Sequence, residues 1–142
     1  MSRALEQARL AGLRDEVPVG AVLVRDGAIL AEGHNLTVST SDPTGHAEVV
    51  TLRKAAALQG DWRLEGTTLF CTLEPCALCC GALLLARVPR VVYGATDPKA
   101  GMAGTLGNLL QDPRLNHRAQ ITAGVLAEES VRLLQAFFRA RR

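Results

Sequence analysis

Apolar and polar positions switch between a period near 3.6 and a period of 2 along the chain, and the switches predict the elements in order. Ser2 caps a first helix running to about Arg14, with Leu5, Ala8, Leu10 and Leu13 as its apolar stripe. Glu16-Val17-Pro18-Val19-Gly20 breaks it. Ala21 to Val24 reads as a buried strand, Asp26-Gly27 as a hairpin turn, and Ala28 to Gly33 as the returning strand. His34-Asn35 opens a polar loop that lasts through Gly45. A helix follows from His46 to about Gln59, apolar at Val49, Val50, Leu52, Ala56 and Ala57. Gly60-Asp61 ends it, and Trp62 and Leu64 anchor the return to a third strand, Thr67 to Leu73. Pro75 suits the first turn of the next helix, where no N–H is needed. That helix, Cys76 to Ala86, is apolar nearly all round, which predicts burial on several sides or a partner subunit.

Val88-Pro89 stops it, and Arg90 to Thr96 is the fourth strand. The Gly-rich passage through Gly107 lacks the Gly-Lys-Ser/Thr ending of a phosphate loop. Leu106 to Leu110 reads as a short helix, Ala119 to Thr122 as a short fifth strand, and Leu126 to Arg139 as a last helix packed through Val131, Leu134 and Phe138. Helices between strands imply an α/β fold: a three-layer α/β/α sandwich around a five-stranded mixed sheet, one domain over residues 1–142. The first two strands pair as an antiparallel hairpin, and strands joined by helices can run parallel.

Composition changes this picture in three places. Hydrophobic residues are 48% of the chain but aromatics only 4%, so Ala, Val and Leu must fill the core. The net charge of +2 decides nothing alone. Its placement is more telling, because Arg132, Arg139, Arg141 and Arg142 fall in the last eleven positions. No stretch has the length and hydropathy of a membrane span. Four cysteines, two of them at ligand spacing, fit a reducing cytoplasm better than a disulfide framework.

The chemistry concentrates in His46-Ala47-Glu48 and Pro75-Cys76-Ala77-Leu78-Cys79. Cysteines three apart on a helix share a face, so Cys76 and Cys79 can reach one metal, with His46 as a third ligand. Three protein ligands with one position open is the pattern of a catalytic zinc. Glu48 is too close in sequence to His46 for a comfortable fourth ligand, but is placed to handle protons on a water there. An H-x-E joined to P-C-x-x-C marks zinc-dependent nucleobase deaminases, in which the Glu is acid and base. Other readings remain: a redox C-x-x-C pair, which leaves His46 and Glu48 without a task, or a structural zinc, which lacks a fourth ligand. Cys71 and Cys80 read as small core residues.

Over almost its whole length the chain resembles tRNA-specific adenosine deaminases, within the cytidine-deaminase-like fold. The resemblance rests on E-V-P-V-G-A-V-L-V (16–24), Asn35, D-P-T-G-H-A-E (42–48), T-L-E-P-C-x-x-C (72–79), V-V-Y-G-A-T-D-P-K (91–99), N-H-R (116–118) and F-F-R-A-R-R (137–142). It departs at Gly45, where the family commonly has Ala, at Cys80, and in ending at Arg142 without the longer basic tail of some members. The resemblance implies hydrolytic conversion of adenosine to inosine at the wobble position of an anticodon stem-loop. It also implies one Zn2+ per subunit, Glu48 as proton shuttle, and a homodimer in which each subunit completes its neighbour's site. By the same resemblance Asn35 hydrogen-bonds the flipped nucleotide and the backbone at Ala47 and Glu74 lines the base. Asp97, Lys99, Asn116, His117 and Arg139 then face the anticodon loop. The alternatives are a deaminase of a free base or nucleotide, of guanine or cytosine type, and a non-catalytic zinc subunit, which would not need Glu48.

Overall fold

The hairpin predicted by Asp26-Gly27 is present in the computed structural model, which describes residues 1–142. Both turn residues have positive φ, 51° and 76°, as a type I′ turn requires. The turn joins β1 (Gly20–Arg25) to β2 (Ala28–His34), with a register shift between Leu23 and Val24. β3 (Thr68–Leu73), β4 (Arg90–Ala95) and β5 (Gln120–Thr122) complete a five-stranded sheet in the order β2-β1-β3-β4-β5. β1 runs antiparallel to β2 and β3, while β3, β4 and β5 run parallel, so the sheet is mixed as expected.

Helices α1 (Ser2–Leu13) and α4 (Ala127–Arg139) cover one face. Helices α2 (Ala47–Gln59) and α3 (Ala77–Leu85) cover the other, completing the three-layer sandwich. Leu23, Leu69, Leu83, Val91 and Leu110 are fully buried between the layers. Each such side chain contributes roughly 1.5–3 kcal/mol of burial free energy. Cys71 and Cys80 are buried free thiols in this core, as expected.

Several faces differ from the periodic reading. α1 packs through Ala4, Leu5, Ala8 and Ala11, while Leu13 is 83% exposed. The small face wins because α1 lies directly on Gly20, where a Cβ would overlap the Ala4 carbonyl. Ser2 lies inside the helix, whose N-cap is Met1, and it makes no capping bond. On α4, Val131 and Phe138 lie on the surface and Leu134 is half-buried. Ser130 is the buried residue there and donates to the Thr72 carbonyl. The short helix forms as one 3-10 turn at Leu109–Gln111, later than predicted. Trp62 does not anchor the return loop: Leu64 is buried, but Trp62 is exposed with Arg63 stacked over its ring.

The connections that carry chemistry meet at one end of the sheet. β2, β3 and β4 all end there, and antiparallel β1 begins there. Ligand sites of open α/β sheets lie in crevices outside strand ends of this kind.

Candidate active site

Two helices begin at this end, and their first residues are unusual caps. His46 is the N-cap of α2 and Cys76 that of α3, positions favouring Ser, Thr, Asp or Asn. Neither side chain caps its own helix. Both turn instead toward each other and toward Cys79 in the first turn of α3. His46 Nδ1 lies 3.5 Å from Cys76 Sγ and 3.4 Å from Cys79 Sγ. All three candidate ligand atoms lie within 4.8 Å of one another. A nitrogen at about 2.0 Å and a sulfur at about 2.3 Å from one tetrahedral zinc stand about 3.5 Å apart. The donor set and its spacing therefore fit zinc.

The missing cap of α2 comes from outside the helix. The Ala47 N–H donates to Asn35 Oδ1 at 2.8 Å, which ties the end of β2 to the metal centre. This bond occupies the Ala47 N–H, leaving the Asn35 amide NH2 as the donor available toward a ligand. Asn35 thus both satisfies the start of α2 and lines the pocket.

Glu48 is 4% exposed and lines the pocket beside His46 and Cys76. Burial pushes its carboxyl up to about 6, with the negative charge of Cys76 adding to the effect. Hydrogen bonds with Cys79 and then with His46 lower the Cys76 thiol to about 3. The Cys79 thiol is raised by its hydrogen bond with Cys76 and by burial. Two helix N-termini aimed at this cluster favour its negative charge. Cys80 points into the core, where burial pushes its thiol up to about 12, so it is no thiolate ligand.

The pocket has a volume of about 330 Å³. Asn35, Thr37 and Val38 line it on the β2 side, and Asp97 and Ala100 on the β4 side. Glu16, a buried carboxylate not among the expected site residues, also lines it. Its signals in the sequence were an acidic residue before the apolar run Val17 to Val24 and its place at the head of the 16–24 motif. Glu74 was expected to contribute backbone; the structure shows its side chain binding the 97–105 loop.

Lys99 and Arg139 sit together on a surface depression beyond the Asp97–Gly101 turn, with Phe138, Arg141 and Arg142. The C-terminal arginines are not equivalent. Arg132 pairs with Glu128 and Glu129 on its own helix. Arg141 pairs with Asp15 at 2.6 Å and stacks on Phe137. Arg139 is exposed, with no acidic partner within salt-bridge distance. Asn116 and His117 are not brought to the pocket of their own chain. They precede β5 at the opposite end of the sheet, where His117 Nε2 lies 2.9 Å from the Val88 carbonyl.

The cytidine and deoxycytidylate deaminase zinc-binding region matches residues 1–95, which include His46, Glu48, Cys76 and Cys79. The chain belongs to the cytidine and deoxycytidylate deaminase family. Within this family it is 50% identical to the tRNA-specific adenosine deaminase of Bacillus subtilis (strain 168), over all of this chain and 88% of that protein. A solved structure from studies of A-to-I editing by tRNA:A34 deaminases superposes with a TM-score of 0.91. It is 42% identical, over 94% of this chain and 97% of that one. A guanine deaminase from Bacillus subtilis is a more distant family neighbour, at TM-score 0.67 and 34% identity over 99% of this chain and 90% of that one.

Proposed function

We propose that this protein is a zinc-dependent tRNA adenosine deaminase, converting adenosine to inosine at the wobble position of an anticodon stem-loop. The observation that carries the reading is the convergence of His46, Cys76 and Cys79 beside a buried carboxylate, Glu48, in a chain half identical to a tRNA-specific adenosine deaminase. Deamination of a free base is the less favoured reading, since the guanine deaminase is the more distant of the two likenesses.

A zinc ion held by His46, Cys76 and Cys79 supplies Lewis acidity, making water a nucleophile near neutral pH. Glu48 takes a proton from the attacking water as the bond to purine C6 forms. It returns that proton to N1, then takes the proton of the new C6 hydroxyl and passes it to the departing amine, so the C6–N bond breaks, C6 becomes a carbonyl and ammonia leaves. Proton transfer by a placed carboxylate is worth ~10²–10⁴ in rate. The base must leave its stack to enter the pocket. Asn35 offers its amide to the flipped nucleotide, the Glu74 region and Asp97 border the base, and Lys99 and Arg139 meet phosphates outside.

The same reading makes the protein a homodimer. Leu78 and Leu85 on α3 are 41% and 71% exposed, and with Trp62 they border an apolar groove between α2 and α3. An antiparallel two-fold pairing of α3 with its copy would set the start of one helix beside the end of the other. That arrangement would carry Asn116 and His117 of a second copy toward the pocket. A tRNA substrate and four free cysteines support a cytoplasmic location; no helix is long and apolar enough to cross a membrane.

The test offers the zinc-loaded protein a stem-loop with wobble adenosine beside free adenosine, guanine and cytosine. Inosine in the stem-loop alone is the expected result. Turnover of a free base alone would overturn the substrate while leaving the zinc chemistry in place.

A further inference from the structure

Two buried carboxylates at the pocket have no task in the proton transfers. Glu16 is 1% exposed and Glu74 is 2% exposed. Neither forms an ion pair. A buried carboxylate without a counter-charge is costly unless hydrogen bonds satisfy its oxygens. Here the donors come from two loops. Glu16 Oε1 accepts from the Ser39 N–H at 2.7 Å and the Ser39 hydroxyl at 2.6 Å, and Oε2 from the Val38 N–H at 3.1 Å. Glu74 Oε1 accepts from the Asp97 N–H at 3.2 Å and the Thr105 hydroxyl at 2.5 Å. Its Oε2 accepts from the Ala103 N–H at 3.2 Å and the Thr105 N–H at 3.1 Å.

Val38 and Asp97 both line the pocket, and they leave strands that flank it, β2 on one side and β4 on the other. The 97–105 loop closes directly on its carboxylate: at Gly101 a Cβ would overlap the Glu74 carboxyl group and the Asp97 carbonyl. We infer that Glu16 and Glu74 are positioning residues, two buried carboxylates that fix the opposing walls of the pocket before a substrate enters. The inference builds on the deaminase reading above and assigns the two side chains a part in it. Walls set in advance spare the substrate the ordering of a loop, and a misplacement of about 1 Å can cost ~10²-fold in rate.

Glutamine keeps the shape of each side chain but turns an acceptor into a donor. Glu74 receives four hydrogen bonds and Glu16 three, so Glu74→Gln is the more damaging change. The experiment combines steady-state kinetics on the wobble-adenosine stem-loop with zinc content and amide hydrogen exchange, on the zinc-loaded protein. Glu74→Gln should lower kcat/KM about 10- to 100-fold, mostly through KM, and Glu16→Gln should do so by less. Zinc should stay at the wild-type stoichiometry. Exchange should quicken at 97–105 in Glu74→Gln alone and at 38–39 in Glu16→Gln alone. If either glutamine variant fails to fold, the loop-side variants decide. Thr105→Ser should match the wild type, while Thr105→Val and Ser39→Ala should each loosen their own wall. Unchanged exchange at these amides, or wild-type KM with loosened walls, would overturn the inference. If the wild type converts no adenosine, the deaminase reading fails, and exchange alone decides whether the carboxylates hold the walls.

Discussion

His46, Cys76 and Cys79 reach one another from the starts of two helices, whereas Val38 and Asp97 stand where they do because buried carboxylates 22 and 23 residues earlier hold their backbone. The metal centre is made by helix periodicity and two cap positions. The walls are made by hydrogen bonds across the fold. This difference separates the two by tolerance: a ligand change destroys the centre outright, while a wall change degrades how well a base is held. The outer rim is looser still, because Lys99 and Arg139 are exposed on the depression beyond the turn.

The sharpest break in the comparison is at a ligand. Cys79→Ser should lose stoichiometric zinc, read by elemental analysis of the purified protein, and should form no inosine above background. Next comes the apolar groove. Leu85→Glu should convert a dimer to a monomer in sedimentation and weaken deamination, with zinc content unchanged; a stable dimer would send α3's exposed leucines back to ordinary surface. The rim should give a milder and salt-dependent result. Lys99→Ala and Arg139→Ala should each lower the slope of log affinity against log salt by about one and weaken stem-loop binding uniformly across sequences. An unchanged slope would mark Arg139 as a solvated helix end.

The smallest effect concerns acid. Burial alone would raise the Glu16 and Glu74 carboxyls, but hydrogen bonds from Ser39 and Val38, and from Thr105, Asp97 and Ala103, outweigh it and hold both below the ordinary range. A carboxyl lowered in the folded state adds stability above its unfolded value, near 4.3, and loses it as pH falls through the folded value. The wild-type Tm should therefore fall below about pH 4.3, and Glu74→Gln should start lower at neutral pH and fall less steeply.

Legibility in the sequence follows the same division. The hairpin at Asp26-Gly27, the mixed sheet and the metal cluster rest on short-range patterns, and each appears where the residues predicted it. The faces of α1 and α4 were misjudged because hydropathy ranks Leu10, Leu13 and Phe138 above Ala4, Ala11 and Ser130. Close approach to Gly20 and a hydroxyl bond to Thr72 chose the smaller residues. Glu16 could not be found by periodicity at all, since its partners Val38 and Ser39 are set by the path of a loop. Asn116 and His117 read as neighbours of the RNA, yet lie at the far end of β4 in the single chain. Only pairing with a second copy would relate them to a pocket.

The most direct test of the account separates metal from proton transfer at Glu48. Zinc-loaded Glu48→Gln should match the wild type in zinc content and in stem-loop affinity, while its rate of inosine formation falls about 10²- to 10⁴-fold. A Glu48→Gln protein that holds zinc and deaminates the wobble adenosine at the wild-type rate would contradict it.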